Sequence, residues 1–220
     1  SLGIEISLDV ANTSNRHIYV NDNALGFTVT TYTDVAIDTT HPNIEIGKAV
    51  GVFGSTSDKC RFSNKFLDYT YRDLSIEANR RLFITAEGKP ADWATLMASS
   101  PIAGFKMESA STAHINDGIG GNMVQNGTLA TADRGANQDN CVASLFDGTN
   151  HLSKIANYGA SLQYLTFSVN GLNPIDGSTP TILSFGVGDT TITKRVAFTL
   201  NDSTIRITIT DSGGTTLLLV

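Results

Sequence analysis

Residues 4–10, Ile-Glu-Ile-Ser-Leu-Asp-Val, alternate apolar and polar without a slip. In an extended chain successive side chains point to opposite faces. Ile4, Ile6, Leu8 and Val10 therefore share one face, and Glu5, Ser7 and Asp9 share the other. Such a period cannot lay an apolar stripe along a helix, whose repeat is about 3.6 residues. It predicts a half-buried strand with a solvent-facing polar row. The same period returns near the other end, where Ile205, Ile207 and Ile209 alternate ahead of Gly213-Gly214, a pair suited to a tight turn.

Between these anchors the chain reads as short strands cut by turn residues. Ala11 to Arg16 has hairpin chemistry, His17 to Val20 starts the return strand, and Asn21-Asp22-Asn23 turns again. Further strands are expected at 27–32, 43–47, 49–53 and 60–69, and later at 143–146, 150–155, 162–169, 180–187, 193–200, 203–210 and 215–220. Gly148 and Gly171 punctuate like turns. Asp73 to Arg81 reads as a short helix, near 75–82, with Asp73 or Ser75 as cap and Glu77 at the positive end of its dipole. Residues 86–142, rich in Gly, Ser, Ala, Asn and Pro, carry the least regular pattern and read as a connector with a helical turn near Trp93 to Ala98. Three regions result: 1–85, the connector 86–142, and 143–220. The chain stops at Leu217–Val220 inside an expected strand. Either it is a piece of a longer polypeptide or its two ends are neighbours in one sheet.

With 220 residues, 40% of them hydrophobic and 16% charged, the chain is long and apolar enough to bury a core and is not disordered. A net charge of −6 supplies no basic footprint for nucleic acid or anionic lipid. No apolar run approaches the roughly 20 residues of a membrane helix, and no secretory signal opens the sequence. Cys60 and Cys141 lack metal-like spacing. Two thiols is the favoured reading, with a disulfide as the alternative.

Motifs for chemistry are weak. His17, His41, His114 and His151 show no zinc spacing. There is no nucleophile elbow for a Ser-His-Asp triad. Asp34, Asp38, Asp189 and Asp202 are loop oxygens without a calcium-loop run, so turn roles are expected, with no cofactor and no metal; Ca2+ is the alternative, which the spacing does not support. Gly118-Ile119-Gly120-Gly121 lacks the Lys-Ser/Thr ending of a phosphate loop and reads as a flexible join. Arg80 and Arg81 are expected to brace the sheet or to pair with acids such as Asp73 and Glu77.

Several segments together resemble the concanavalin A-like, laminin-G-like jelly-roll domains of bacteriophage fibre and appendage proteins. Ser144-Leu145-Phe146-Asp147-Gly148-Thr149-Asn150 looks like the opening strand of such a domain. Leu165 to Val169, Ile182 to Gly186 and Arg195 to Phe198 are similar to its next strands. The closing elements lie at the other end of the chain: Ile4 to Val10 with His17 to Asp22, then Phe66 to Asp68 through Tyr71 to Ser75 and Asn79 to Ile84. Asn116 to Asn122 and Asn126-Gly127 resemble the glycine-rich join that follows such domains.

The resemblance implies an all-β fold of two antiparallel sheets in a jelly-roll sandwich, with the second half (1–85) preceding the first half (143–220). Such a sandwich closes either within one chain as a permuted domain, which is favoured, or by exchange with a neighbouring copy. It further implies a non-catalytic structural or adhesive module of a virion or extracellular assembly. Its partners would be surface glycans or other virion subunits, most simply as a homo-oligomer, with no nucleic acid and no membrane insertion. A sugar ring stacks on aromatics, which points to Tyr32, Tyr69, Tyr71, Trp93 and Tyr158 as ligand-binding candidates. Two alternatives stand beside it, a self-assembling scaffold repeat and a polysaccharide-active enzyme. For the enzyme, Glu5-Ile6-Ser7-Leu8-Asp9 resembles the E-x-D-x-E strand of jelly-roll glucanases. Here the central acid is Ser7 and the last is the shorter Asp9, a poor match to the roughly 5–5.5 Å carboxylate gap of a retaining mechanism. No catalytic residue is therefore expected.

Overall fold

The structure, a computed structural model, describes residues 2–9, 12–29, 31–32, 37–38, 43–47, 59–133, 142–147, 149–155, 161–162, 164–174, 181–186, 195–201, 204–210 and 216–219. The first part of the chain supplies β1 (Leu2–Asp9), β2 (Arg16–Val20), β3 (Asn23–Ala24), β4 (Thr31–Tyr32), β5 (Ile37–Asp38), β6 (Asn43–Ile46), β7 (Lys59–Phe62) and β8 (Asn64–Asp68). Two short helices follow, α1 (Glu77–Arg80) and α2 (Trp93–Met97), then β9 (Ala103–Lys106), β10 (Val124–Asn126) and β11 (Ala130–Asp133). The last part supplies β12 (Val142–Asp147), β13 (His151–Ile155), β14 (Ser161–Leu162), β15 (Tyr164–Pro174), β16 (Thr181–Gly186), β17 (Arg195–Asn201), β18 (Thr204–Thr210) and β19 (Thr216–Leu219).

The protein is all-β, and its described ladders are antiparallel. A nine-stranded sheet runs β11-β12-β7-β15-β1-β2-β3, with β8 beside β15 and β9 beside β8. An eight-stranded sheet runs β10-β13-β6-β16-β17-β18-β19-β4, and β14 pairs with β5. Each large sheet mixes strands from before residue 69 with strands from after residue 141, so one chain supplies both partners of β1–β15, β6–β16 and β4–β19. The two ends of the chain are nevertheless not neighbours in one sheet, which corrects one reading of the sequence. β1 lies in the nine-stranded sheet, whereas β19 lies in the other, between β18 and β4.

Alternation puts Ile4, Ile6 and Leu8 of β1, Phe167 and Val169 of β15 and Leu67 of β8 on one face, where they are buried. Ile46, Leu152, Ile205 and Ile207 of the eight-stranded sheet belong to the same apolar cluster. Burial of side chains this size stabilises by about 1.5–3 kcal/mol each. Phe62 and Phe146 meet edge to face at 5.2 Å in this core. Gly47, with φ +78°, is required beneath them, since a Cβ there would overlap the Phe146 ring.

Several local expectations change. The strand expected over 27–32 is reduced to Thr31–Tyr32; residues 25–29 are irregular, with Phe27 and Val29 packed on the main core. The run 60–69 is interrupted at Ser63. Gly171 is not a turn. It lies inside β15, where Val169 to Leu172 opposes the shorter step Ile4 to Leu2, so the glycine marks a bulge. The 86–142 stretch is more than a connector, because α2, β9, β10 and β11 all come from it. Gly118 to Gly121 is no loose join. Asn116 fastens this loop through bonds to Gly104, Gly118, Ile102 and Gly121, while Ile119 and Gly120 bond to Pro101 and Ile102. The strand expected at 49–53, Gly148 and the Gly213-Gly214 turn lie outside the described residues, as does Cys141; Cys60 is buried in the main core.

Candidate functional site

The second face of the nine-stranded sheet holds the chemistry. Register across β2, β1, β15, β8 and β9 aligns Tyr19, Glu5, Ser168, Phe66 and Gly104 in one row. The next row aligns His17, Ser7, Thr166 and Asp68. Over these rows lies a cap formed by residues 70–100. Leu74, Phe83 and Leu96 of the cap join Phe66 in a second apolar cluster, with Tyr19, Leu82, Trp93 and Met97 against it. Phe66 and Phe83 meet edge to face at 5.1 Å.

The cap overturns the expected solvent-facing row. Glu5 and Ser7 are fully buried, and Asp9 is 6% exposed. Alternation correctly groups these three residues on one face, but it carries no information about what covers that face.

Polar groups fasten the cap to the sheet. Thr166 Oγ1 donates to Thr70 O at 2.7 Å, and Arg72 N donates to Ser7 Oγ, which lies 3.2 Å from Thr166 Oγ1. Arg72 Nη2 reaches Asp68 at 3.3 Å. His17 Nε2 lies 3.2 Å from both Tyr71 Oη and Asp73 Oδ1. Asp73 is held below the usual carboxylate range by the Ser75 hydroxyl and backbone N–H, with the His17 charge adding to them. Burial, then the charges of Asp73 and Asp9, push the Tyr71 hydroxyl up to about 12. That phenol stays neutral and serves as a hydrogen-bonding group.

At the other end of the seam, Asp22 sits in the β2–β3 turn, where Asn21 and Asp22 both take positive φ, 49° and 66°. It accepts from Arg80 Nε at 2.9 Å and from Arg81 Nη2 at 2.8 Å. Arg80 also donates to Leu74 O and Ser75 O, and its guanidinium lies 4.6 Å from the Tyr19 ring centroid. Arg81 pairs with Glu77 as the sequence suggests. Both arginines brace the fold, and their main acid is Asp22, a residue 58 positions from Arg80 whose role has no local signal. Asp73 pairs with His17, not with either arginine.

Of the aromatic candidates, Tyr71 and Trp93 belong to the cap and are half-buried. Trp93 donates its indole N–H to the exposed Asp117 at 2.8 Å, which fixes the ring beside Gly104 of β9. Tyr69 is half-buried and packs on the main core instead. Tyr32 lies in β4, paired with Leu218, and its side chain is outside the described residues, as is all of Tyr158. The five candidates are thus not gathered into one site among the described residues. Asp34, Asp189, Asp202 and His41 also fall outside the described residues, and Asp38 is described only as part of β5. Among the described residues no group of three or more His, Cys, Asp or Glu is arranged for a metal ion, and no helix is long and apolar enough to cross a membrane.

Chemically, the seam can hold protons and bind the cap down. The Ser7 hydroxyl is enclosed and bonded on both sides. Comparison with protein-family models, curated proteins and solved structures returns no match.

Proposed function

We propose that this chain is a non-catalytic structural or adhesive module of a virion fibre or appendage, built on a permuted laminin-G-like jelly-roll and recognising surface glycans. The observation that carries this reading is the enclosure of the Glu5–Ser7–Asp9 row. An acid with no exposed surface cannot reach a glycosidic bond, so the most enzyme-like motif in the sequence serves the fold. The half-buried Trp93, its indole anchored by the exposed acceptor Asp117, and Tyr71 beside His17 retain the aromatic-plus-polar chemistry that sugars require. Placement of aromatic groups on a braced cap suits recognition on a rigid scaffold.

Titration against a panel of bacterial surface oligosaccharides, followed by calorimetry, tests the reading. At least one glycan is expected to bind, with roughly tenfold weaker affinity after Trp93→Ala, the loss of about 1.4 kcal/mol. Turnover of any panel member by the wild type, abolished in Glu5→Gln, would establish the polysaccharide-active alternative. No binding, together with concentration-dependent self-association in light scattering, would establish the scaffold alternative.

A further inference from the structure

Glu5 stands out among the buried polar groups of the seam. Its carboxyl is fully buried on the capped face of β1, and neither oxygen has a hydrogen-bond partner on another of the described residues. Across the strands it faces Tyr19 of β2 and Ser168 of β15. From the β2–β3 turn Asp22 acts on it with like charge, and from α1 Arg80 acts with opposite charge. Further along the seam stand Ser7 and His17, with Tyr71 and Asp73 above them.

We propose that residues 70–100 form a releasable cap, and that loss of the Glu5 proton loosens it from the nine-stranded sheet. A neutral carboxyl fits this site, since an uncharged group tolerates burial far better than an unpaired ion. The ionised form needs either water or a cation. The cation whose charge acts on it is Arg80, already engaged by Asp22, Leu74 O, Ser75 O and the Tyr19 ring. Drawing Arg80 toward Glu5 takes it away from the contacts that hold α1 to the β2–β3 turn. Admitting water opens the apolar cluster of Phe66, Leu74, Phe83 and Leu96. Both responses undo the same joint. The same burial, and after it the like charge of Asp22, raises the Glu5 carboxyl to about 8. The cap is therefore closed at acidic and neutral pH and released on mild alkalinisation.

Trp93, the sole tryptophan, lies in the cap and reports its state. In the wild type its emission should shift to the red, and acrylamide quenching should rise, as pH passes through about 8. Amide exchange over residues 70–100, corrected for chemical exchange, should accelerate by up to roughly tenfold per pH unit as pH climbs from about 4.5 to about 8 and level off above that, as a one-proton opening requires. The far-UV spectrum of the sheets should stay unchanged. Glu5→Gln, which keeps the shape of the neutral acid, should remove the transition. Asp22→Asn removes the repelling charge, so it should move the transition to lower pH; it also carries the test should the glutamine variant fail to fold. A flat wild-type response across this range overturns the proposal. So does the same transition persisting in folded Glu5→Gln, or loss of the sheet signal together with the tryptophan change.

Discussion

Glu5 and Asp22 are both carboxylates acted on by Arg80, and their surroundings push them in opposite directions. Asp22 is held below its ordinary value of 3.8, first by the Arg81 hydrogen bond and then by that of Arg80. A depressed acid contributes stability that is present above its unfolded value and is lost as pH falls through the folded one. Glu5 is raised from 4.5 to about 8, so between these values the unfolded chain gives up a proton that the folded chain keeps. Stability therefore falls as pH climbs across that window and levels off above it. Urea denaturation should show both arms, one weakening below about pH 3.8 and one between about 4.5 and 8. Glu5→Gln should flatten only the second arm and raise the midpoint at pH 8. Asp22→Asn should blunt the first and cost about 1–3 kcal/mol at neutral pH through its lost charge-assisted bonds. Neither role is legible in the sequence. Glu5 sits in a perfect amphipathic alternation that ordinarily faces water, and Asp22 sits in a turn whose partners lie in a helix far along the chain.

At the scale of elements, strands with strong alternation were readable and their coverings were not. β1, β18 and the short helix after Asp73 follow directly from period and composition. Neither Asp73 nor Ser75, the two expected caps, caps α1. Asp73 accepts from Ser75 one turn earlier, while Ile76 stands at the N-cap without a side-chain bond. The cap as a layer had no sequence signal, because its apolar residues Leu74, Phe83 and Leu96 are spaced irregularly and acquire a common face only against Phe66. Phe83→Ala should remove that contact at a cost of roughly 3–5 kcal/mol, with the loss seen first as faster amide exchange over the cap. The loop after β9 makes a complementary case. A Cβ on Gly118 would lie 2.5 Å from Pro101 O and 3.1 Å from Ala103 backbone, where nothing can swing aside. Gly118→Ala should therefore lower the thermal midpoint, and it should also disturb Trp93 through the neighbouring Asp117. An unchanged midpoint and emission spectrum would mean that the loop adjusts freely.

For the whole molecule, the decisive property is how the two ends of the sequence interleave. β15 is held between β1 on one side and β7 and β8 on the other, so a C-terminal strand needs N-terminal neighbours on both edges. β6 in turn sits between β13 and β16, an N-terminal strand between two C-terminal ones. Strands from residues 1–85 and from 143–220 pair with one another in both large sheets. Which sheet receives each strand follows from pairings between residues far apart in sequence, and local patterns do not encode them. Cutting the chain into 1–133 and 142–220 leaves β15 and β6 with bare edges on both sides, along with half of the apolar cluster that joins Ile4, Ile6 and Leu8 to Ile205 and Ile207. Each fragment alone should thus give a collapsed or disordered amide spectrum. An equimolar mixture should recover the dispersed spectrum of the intact chain, with an affinity that falls when Ile6 or Phe167 is replaced by Ala. Independent folding of either fragment into a stable sheet would mean that the strand exchange between halves is ornament, and that each half carries its own core.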